Sequence, residues 1–475
     1  MPHRATQEIT DLILKAANKA RQEIKPGQEK AFTNPVKWPI DCLVGPGLEG
    51  AIACESEIGY VNGSSGELIY RGYNVFDLCA YSNFEEVSYL LIHGSLPTAT
   101  QFKKFKKDLV SYRFIPKTMR TLMSFPVEEM NAMAALRLGS NLLRQEFSYV
   151  DQRTYRPDSP PISADEDSIP METLPMGEKH AIYEFKNGKI TQRKNKFSEL
   201  NSPSGLKSCY QLISGVAAVA AAVSRMRQGH LPIEADPDLS HAANLLYMLT
   251  GRKPTAVEER IMDVALILHA DHGMNASTFA TMVVASTLSD LYFAVGSGIA
   301  ALNGPLHGGA NEQVLHMLEK IGSVNNVKDW YQNARSRKDK IMGFGHRVYK
   351  AYDPRARILG PLARYLVEKS ENKRSLELLN VATKLEKIVV ETLGVEKKIF
   401  PNVDFYSGIV YSCMGISADL FTPIFAVSRV SGWTSRVLEY LKNNRIFRPR
   451  AVYVGKFDLG YLPLNKRKGE KSDKK

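Results

Sequence analysis

The stretch from His269 to Gly309, HADHGMNASTFATMVVASTLSDLYFAVGSGIAALNGPLHGG, constrains the fold more than any other part of this 475-residue chain. It holds two apolar helical segments and runs into Gly304-Pro305, where a helix must stop because proline lacks an amide hydrogen and clashes with the preceding turn. Three histidines therefore stand near helix ends: His269 and His272 close one helix, and His307 follows the break. A second break, GFGHRVYKAYDPR, presents His346, and a third, FPNVDFYSG, presents Asp404. Two histidines and an aspartate held where helices end or loops turn suit the movement of a proton beside a carbonyl.

Helical spacing dominates the remaining chain. Segment 47–71 is the exception, since its short alternating apolar runs around Asn62-Gly63 and Gly66 predict short strands joined by turns. Phe84, Val87, Leu90 and Leu91 then recur at helical spacing, with Asn83 as cap and Gly94 as stop. Thr255 and Glu258 fit a capping box ahead of the apolar face Val257, Ile261, Val264 and Leu268. Asp353-Pro354 reads as a cap with a first-turn proline, and a helix from Leu376 ends at Gly394. The last helix, PIFAVSRVSGWTSRVLEYL, packs through Ala426, Val430, Trp433, Val437 and Leu441 and leaves Arg429 and Arg436 on an adjoining face. Residues 149–207, rich in proline, serine and acids and with a hairpin signal at Asn187-Gly188, interrupt this pattern as a surface excursion or a partner-binding insertion. The N-terminal 25 residues form an amphipathic helix through Ile9, Leu12, Ile13 and Ala16, docked on the fold or on a partner subunit. Its Glu8, Asp11 and Glu23 count against a transit peptide, so a cytoplasmic protein is expected.

Several functions are disfavoured by composition. The formal charge of +12 is spread thinly, and +4 of it comes from the ten-residue tail KRKGEKSDKK, which reads as a solvated end rather than a nucleic-acid footprint. No apolar run is long enough to span a bilayer, the richest being ISGVAAVAAAV. Five widely spaced cysteines without a CxxC pair make neither a disulfide framework nor a zinc site. HADH lacks the glutamate of a zinc-protease helix, so no metal is expected, and His272 reads as a neutral donor to an anionic ligand.

The remaining candidates each have two readings. Gly308-Gly309 let a ligand approach the backbone beside His307, and the helix starting near Asn311 attracts negative charge. GFGHRVYK puts free amides beside Lys340, Arg347 and Lys350, which makes a phosphate site or a basic turn in solvent. Asp404, among Phe400, Val403 and Phe405, is a base whose pKa burial raises, or the cap of the next helix. Arg355, Arg429 and Arg448 hold a dicarboxylate if they converge; singly they are ordinary surface residues.

Four motifs in order, LILHADHGMNASTF, LNGPLHGGANEQVL, MGFGHRVYKAYDPRAR and FPNVDFYSG, closely resemble the citrate synthase family, and GLEGAIACESEIGYVNG with YRGY resembles its shorter dimeric bacterial and archaeal type. The resemblance implies a mainly α, two-domain helical fold with short N-terminal β elements. A large domain, residues 1–309 plus 420–475, would carry a smaller one, 310–419, that closes over the substrates. It implies that Asp404 removes a methyl proton from acetyl-CoA, that neutral His307 donates to the thioester oxygen, and that His346 polarises the oxaloacetate ketone. Substrate carboxylates would be held by His272, Arg355, Arg429 and Arg448, the last reaching across a homodimer interface. The CoA side would use Gly343, Phe344, Gly345, Lys350, Asn402 and one or both of Lys397 and Lys398. No cofactor is implied, acetyl-CoA being a substrate. Propionyl-CoA, the substrate of a 2-methylcitrate synthase, is the alternative, because one methylene changes discrimination by only about 1–3 kcal/mol. A non-catalytic binding protein on the same fold is the more distant alternative. Among the departures, FPVEEM at Phe125 stands where relatives often carry a His-Pro-Met segment, and DHGMN where many have an acid after the histidine.

Overall fold

The computed structural model of the chain describes residues 2–24, 33, 35–146, 203–370, 372–461 and 463–464. Most of the 149–207 excursion and the 466–475 tail lie outside the described residues. Helix α1 (Pro2–Glu23) is followed by a three-stranded antiparallel sheet, β1 (Gly59–Asn62), β2 (Glu67–Tyr70) and β3 (Tyr73–Asn74), with Gly59 opposite Tyr70 and Asn62 opposite Glu67. Next come α2 (Val75–Tyr81), α3 (Phe84–His93), α4 (Ala99–Ser111), α5 (Pro116–Leu122) and α6 (Ala132–Leu142). The chain continues through α7 (Pro203–Arg227), α8 (His241–Thr250), α9 (Ala256–His269), α10 (Ala276–Ser286) and α11 (Leu291–Leu302). Then follow α12 (Ala310–Ile321), α13 (Val327–Arg337), α14 (Pro354–Ser370), α15 (Lys373–Val389), α16 (Val403–Cys413) and α17 (Phe421–Tyr440). The mainly α class with short N-terminal strands is what the sequence led one to expect.

Local chemistry places these ends where the sequence puts them. The Asn83 side chain accepts from the Glu86 amide at 2.9 Å, and Gly94 ends α3 at φ +87°. Thr255 and Glu258 close a reciprocal capping box on α9, the arrangement that satisfies two otherwise orphaned amides. Two boundaries differ. Helix α9 ends at His269, so His272 lies in the following loop instead of on the helix, and α15 starts at Lys373, capped by Asn372, then widens into a π-helical turn at Val390–Gly394.

The core is one continuous body of apolar side chains. Helix α17 lies at its centre, with Trp433 fully buried, and packs against α7, α9, α10 and α11. Arg429 and Arg436, expected on an adjoining face, are themselves 1% and 3% exposed; with apolar neighbours all round, α17 has no outward face. Helix α7 also corrects an expectation. It extends the ISGVAAVAAAV run into a stretch, Gly205–Arg227, that by length and composition is sufficient to cross a membrane, and 83% of its apolar window is buried inside the fold, as in a core helix. A second group, α12, α14 and α15, packs around α16. Helix α1 buries Ile9 and Ile13 and packs on α2, α9 and α14.

Gly432 marks the tightest approach to the functional loop: a Cβ there would sit 2.2 Å from the Ala270 carbonyl oxygen and 3.2 Å from Asp271 Cβ. Gly432→Ala forces α17 off that loop. Such overpacking costs about 1–3 kcal/mol, so the urea midpoint of the variant falls, with an unchanged slope.

Candidate active site

His346 and His307 are both held as neutral rings, with opposite nitrogens carrying the proton. The amides of Val348 and Tyr349 donate to His346 Nδ1 at 3.0 and 3.2 Å, so Nδ1 is an acceptor and Nε2–H is the ring's donor. His307 Nε2 accepts from the Ser277 amide at 3.2 Å, where α10 begins, and faces Ser277 Oγ at 2.9 Å, so its donor is Nδ1–H. Desolvation, reinforced by the Arg429 charge for His307 and by Arg355 for His346, pushes both rings down to about 4. His272 is held well below the ordinary value by burial, Arg355 and His346.

These rings are packed together. The His272 and His346 centroids are 5.2 Å apart, and Tyr349 lies 5.4 Å from the first and 4.9 Å from the second, with its hydroxyl 3.3 Å from His272 Nε2. Its ring also lies 5.8 Å from the Arg355 guanidinium. His269 is different: its Nδ1 donates to the Ala265 carbonyl at 2.7 Å, and it packs edge-on to Phe425 in the core, the structural histidine of the three.

Three buried arginines surround this cluster, and only two have acids. Asp353 grips Arg355 through two bonds of 3.0 and 2.7 Å, and Asp271 grips Arg436 at 2.6 and 2.7 Å. For Asp271 burial works to raise the pKa, but Arg436 prevails and holds the carboxyl below its usual value. Arg429 has no carboxylate in ion-pair range among the described residues. Its Nε donates to the His269 carbonyl at 2.6 Å, while buried Nη2 has no hydrogen-bond partner among the described residues. Burial depresses its pKa to about 10, which leaves it charged at neutral pH. A buried guanidinium with an idle donor is costly unless an anion completes it, so the chemistry of this position suits a carboxylate.

Asp404 sits in the first turn of α16, which Asn402 caps by accepting the Asp404 amide at 3.1 Å. Asp404 is therefore not the cap. Its Oδ1 is buried without a hydrogen-bond partner among the described residues. Desolvation raises its pKa to about 7, against the opposing pull of Arg355 and Arg429. The neighbouring loop is pinned to it: Gly345 N donates to Phe400 O and Asn402 N to Gly343 O, each at 2.9 Å, while Asn402 Nδ2 donates to Gly345 O at 3.0 Å. Gly343 adopts φ +78°, and a Cβ there would meet Val314 and Phe405 at 2.7 and 2.8 Å; only glycine fits. Phe344 packs on Phe405 at 4.5 Å.

A cleft of about 750 Å³ opens beside these loops, lined by Lys350, Tyr352, Lys398 and Phe400 among others. Lys397 is exposed one residue before Lys398, and Arg448 is exposed on the segment that follows α17. The chain thus brings together His272, His307, His346, Arg355, Asp404 and Arg429, and leaves Arg448 apart from them. Sequence reasoning missed Asp271, Ser277 and Tyr349, and took Asp353 only as a cap. Ser277, three residues after the Gly273-Met274 turn and at a helix start, had a positional signal; the others had none.

The pH dependence follows from these values. If Asp404 acts as a base, kcat/KM should fall about tenfold per pH unit below an apparent pKa near 7, because His307 and His346 stay neutral down to about pH 5. An acid limb centred near 4 refutes this. Stability runs the other way. The folded pKa lies above the ordinary 3.8, so the unfolded state loses its proton first and stability is lost as pH rises from about 4 to about 7. Asp404→Asn should therefore melt a few degrees above the wild type at pH 8 and level with it at pH 4.

Comparison with known proteins agrees with this geometry. Residues 47–450 match the family described as "Citrate synthase, C-terminal domain". The citrate synthase of Synechocystis sp. is 39% identical over 422 residues, covering 89% of this chain and 93% of the relative, and that of Haloferax volcanii is 39% identical over 423 residues, covering 89% and 98%. Among solved structures, citrate synthase from Pyrobaculum aerophilum superposes with TM-score 0.74 at 36% identity, covering 92% of this chain and 100% of that one. The ternary complex of carboxymethyl coenzyme A and oxaloacetate with citrate synthase from Thermoplasma acidophilum superposes with TM-score 0.73 at 31% identity, covering 87% and 97%. With two neutral histidines, a carboxyl tuned to neutrality and an unpaired buried arginine inside the matched region, the chain belongs to the citrate synthase family of acyltransferases.

Proposed function

We propose that the protein condenses acetyl-CoA with oxaloacetate and hydrolyses the resulting thioester to citrate and CoA. The observation that carries this reading is the grouping of a carboxyl tuned to about 7 with two neutral imidazoles of opposite tautomer, beside an arginine without an acid. Asp404 takes a methyl proton, and Nδ1–H of His307 donates to the thioester oxygen, so the enol forms without a full negative charge. The enol carbon bonds to the ketone carbon of oxaloacetate while Nε2–H of His346 polarises and then protonates the ketone oxygen. Water cleaves the thioester, releasing the thiol. The methyl group is a very weak acid, so base, enol donor and electrophile must act together in a closed site.

Arg355, Arg429 and His272 bind the oxaloacetate carboxylates, and the scheme calls on no separate cofactor. CoA lies along the 343–345 loop and the cleft that holds Lys350 and Lys398. Residues 310–419 form the smaller, closing domain. Closure of that domain completes the site. The protein works as a homodimer, a reading supported by the apolar residues exposed after α17 and at one loop: Ile446, Val452, Val454 and Leu306 are 61%, 88%, 92% and 96% exposed. Exposed apolar residues of this kind suit an interface, and Arg448, exposed on the same segment as Ile446 and Val452, is read as reaching the partner's substrate. Five free thiols support a cytoplasmic setting.

Thiol release measured with oxaloacetate and either acyl-CoA tests the substrate: acetyl-CoA should turn over faster, and a clear preference for propionyl-CoA overturns the choice. Asp404→Asn should lose at least about a thousandfold in kcat while oxaloacetate still binds; retained turnover would favour a non-catalytic role for this residue. Light scattering after gel filtration should give twice the chain mass, and Arg448→Ala should raise the KM for oxaloacetate. A monomer of full activity contradicts both.

A further inference from the structure

The large cleft has a wall that the family match does not include. Its lining combines Ser64 and Ser65 of the β1–β2 turn, the 350–352 loop, α15 and Lys398 with Lys19, Ala20 and Glu23 of α1, whereas the match begins at residue 47. The β1–β2 turn and the 350–352 loop are locked together: Gly63 O accepts the Lys350 and Ala351 amides at 2.8 and 3.2 Å, and a Cβ on Gly66 would sit 2.7 Å from the Tyr352 carbonyl oxygen. Helix α1 is fixed in turn by its buried face, by the Thr10 hydroxyl on the Ala80 carbonyl at 3.2 Å, and by Tyr365 Oη on Glu8 at 2.5 Å. Lys19 is thereby delivered to the rim from a settled helix.

The charges of the cleft do not balance. Each acid is engaged: Glu23 with Arg357, Glu386 as acceptor for the hydroxyls of Tyr352 and Tyr406, and Glu391 with Lys387 at 3.9 Å. Lys19, Lys350 and Lys398 have no acidic partner among the described residues. Glu386 keeps its charge, because its partners are neutral hydroxyls, so five basic and three acidic side chains leave the lining at +2, with Lys19, Lys350 and Lys398 free to meet a polyanion. Lys350 is four residues from His346 and Phe400 is four from Asp404, so the cleft lies within about 14 Å of chain from either catalytic side chain.

We propose that α1 is an added wall of the acyl-CoA site and that Lys19 binds a phosphate of the nucleotide end of CoA. This rests on the reading that the cleft takes CoA. A full-length Lys19→Glu variant, compared with Lys103→Glu on remote α4 as a control for net charge, tests it by acetyl-CoA kinetics and by calorimetric binding of CoA and of pantetheine, which lacks the nucleotide. Lys19→Glu should raise the KM for acetyl-CoA and the Kd for CoA about 3- to 10-fold at low salt. The difference should shrink in 0.5 M salt as exposed charges are screened, and pantetheine binding should not distinguish the variant from wild type. Equal losses with CoA and pantetheine, or no loss while Lys350→Glu and Lys398→Glu weaken CoA, overturn the role of Lys19 and leave the cleft as the CoA site. No change in any of the three lysine variants overturns the cleft assignment itself, and the proposal with it.

Discussion

Two arginines on one buried helix hold the turn from which the site is built. Arg429 and Arg436 are seven residues apart on α17, two turns or about 10.5 Å along the axis, and both grip the 269–271 segment. Arg429 Nε takes the His269 carbonyl, while Arg436 takes both oxygens of Asp271. The Tyr70 hydroxyl adds bonds to the Ile267 and Asp271 carbonyls at 3.1 and 2.9 Å, tying the sheet to the same turn. His272 follows at once, so its position is fixed by a helix more than 150 residues away. Gly432 is the space that lets the clamp close.

The same clamp sets the electrostatics. Asp271 is paired with Arg436 and Asp353 with Arg355, yet the Arg355 charge still lowers His272, His346 and Asp404. Arg429 is left as the uncompensated charge, and its influence is felt at His272, His307 and Asp404. For the rings it adds to desolvation and keeps them neutral. For Asp404 it opposes desolvation and, with Arg355, keeps the carboxyl near 7 instead of higher. Arg355 and Arg429 together thus lower His272 and hold Asp404 down, and Arg429 Nη2 has no partner among the described residues.

Much of this was legible because it is local. Helix breaks are written in Gly304-Pro305 and Asp353-Pro354, caps in Asn83 and Thr255, and the placing of His307, His346 and Asp404 at loops and helix starts is legible from such breaks. Motif resemblance then supplied roles that spacing cannot. What stayed hidden depends on pairs distant in the chain: Asp271 with Arg436 across 165 residues, Tyr349 with His272 across 77. Asp353 shows the limit sharply. Its carboxylate does accept the Arg355 amide at 2.9 Å, as a cap would, but the same group also holds the Arg355 side chain, and only the fold reveals the second use. Arg448 is the opposite case, where sequence assigns a role that one chain by itself does not assemble.

The origin of each tautomer bears on how closure can work. His346 owes its Nε2 proton to amides two and three residues ahead in its own loop, whereas His307 owes its Nδ1 proton to the start of α10, thirty residues earlier in the large body. In the proposed division these belong to different domains. In that division each ring would carry its own tautomer-setting partner through a closing motion. Closure can change the distance between enol and ketone without disturbing either proton, and the step that brings the reactants together is separated from the step that sets the protonation of the groups acting on them.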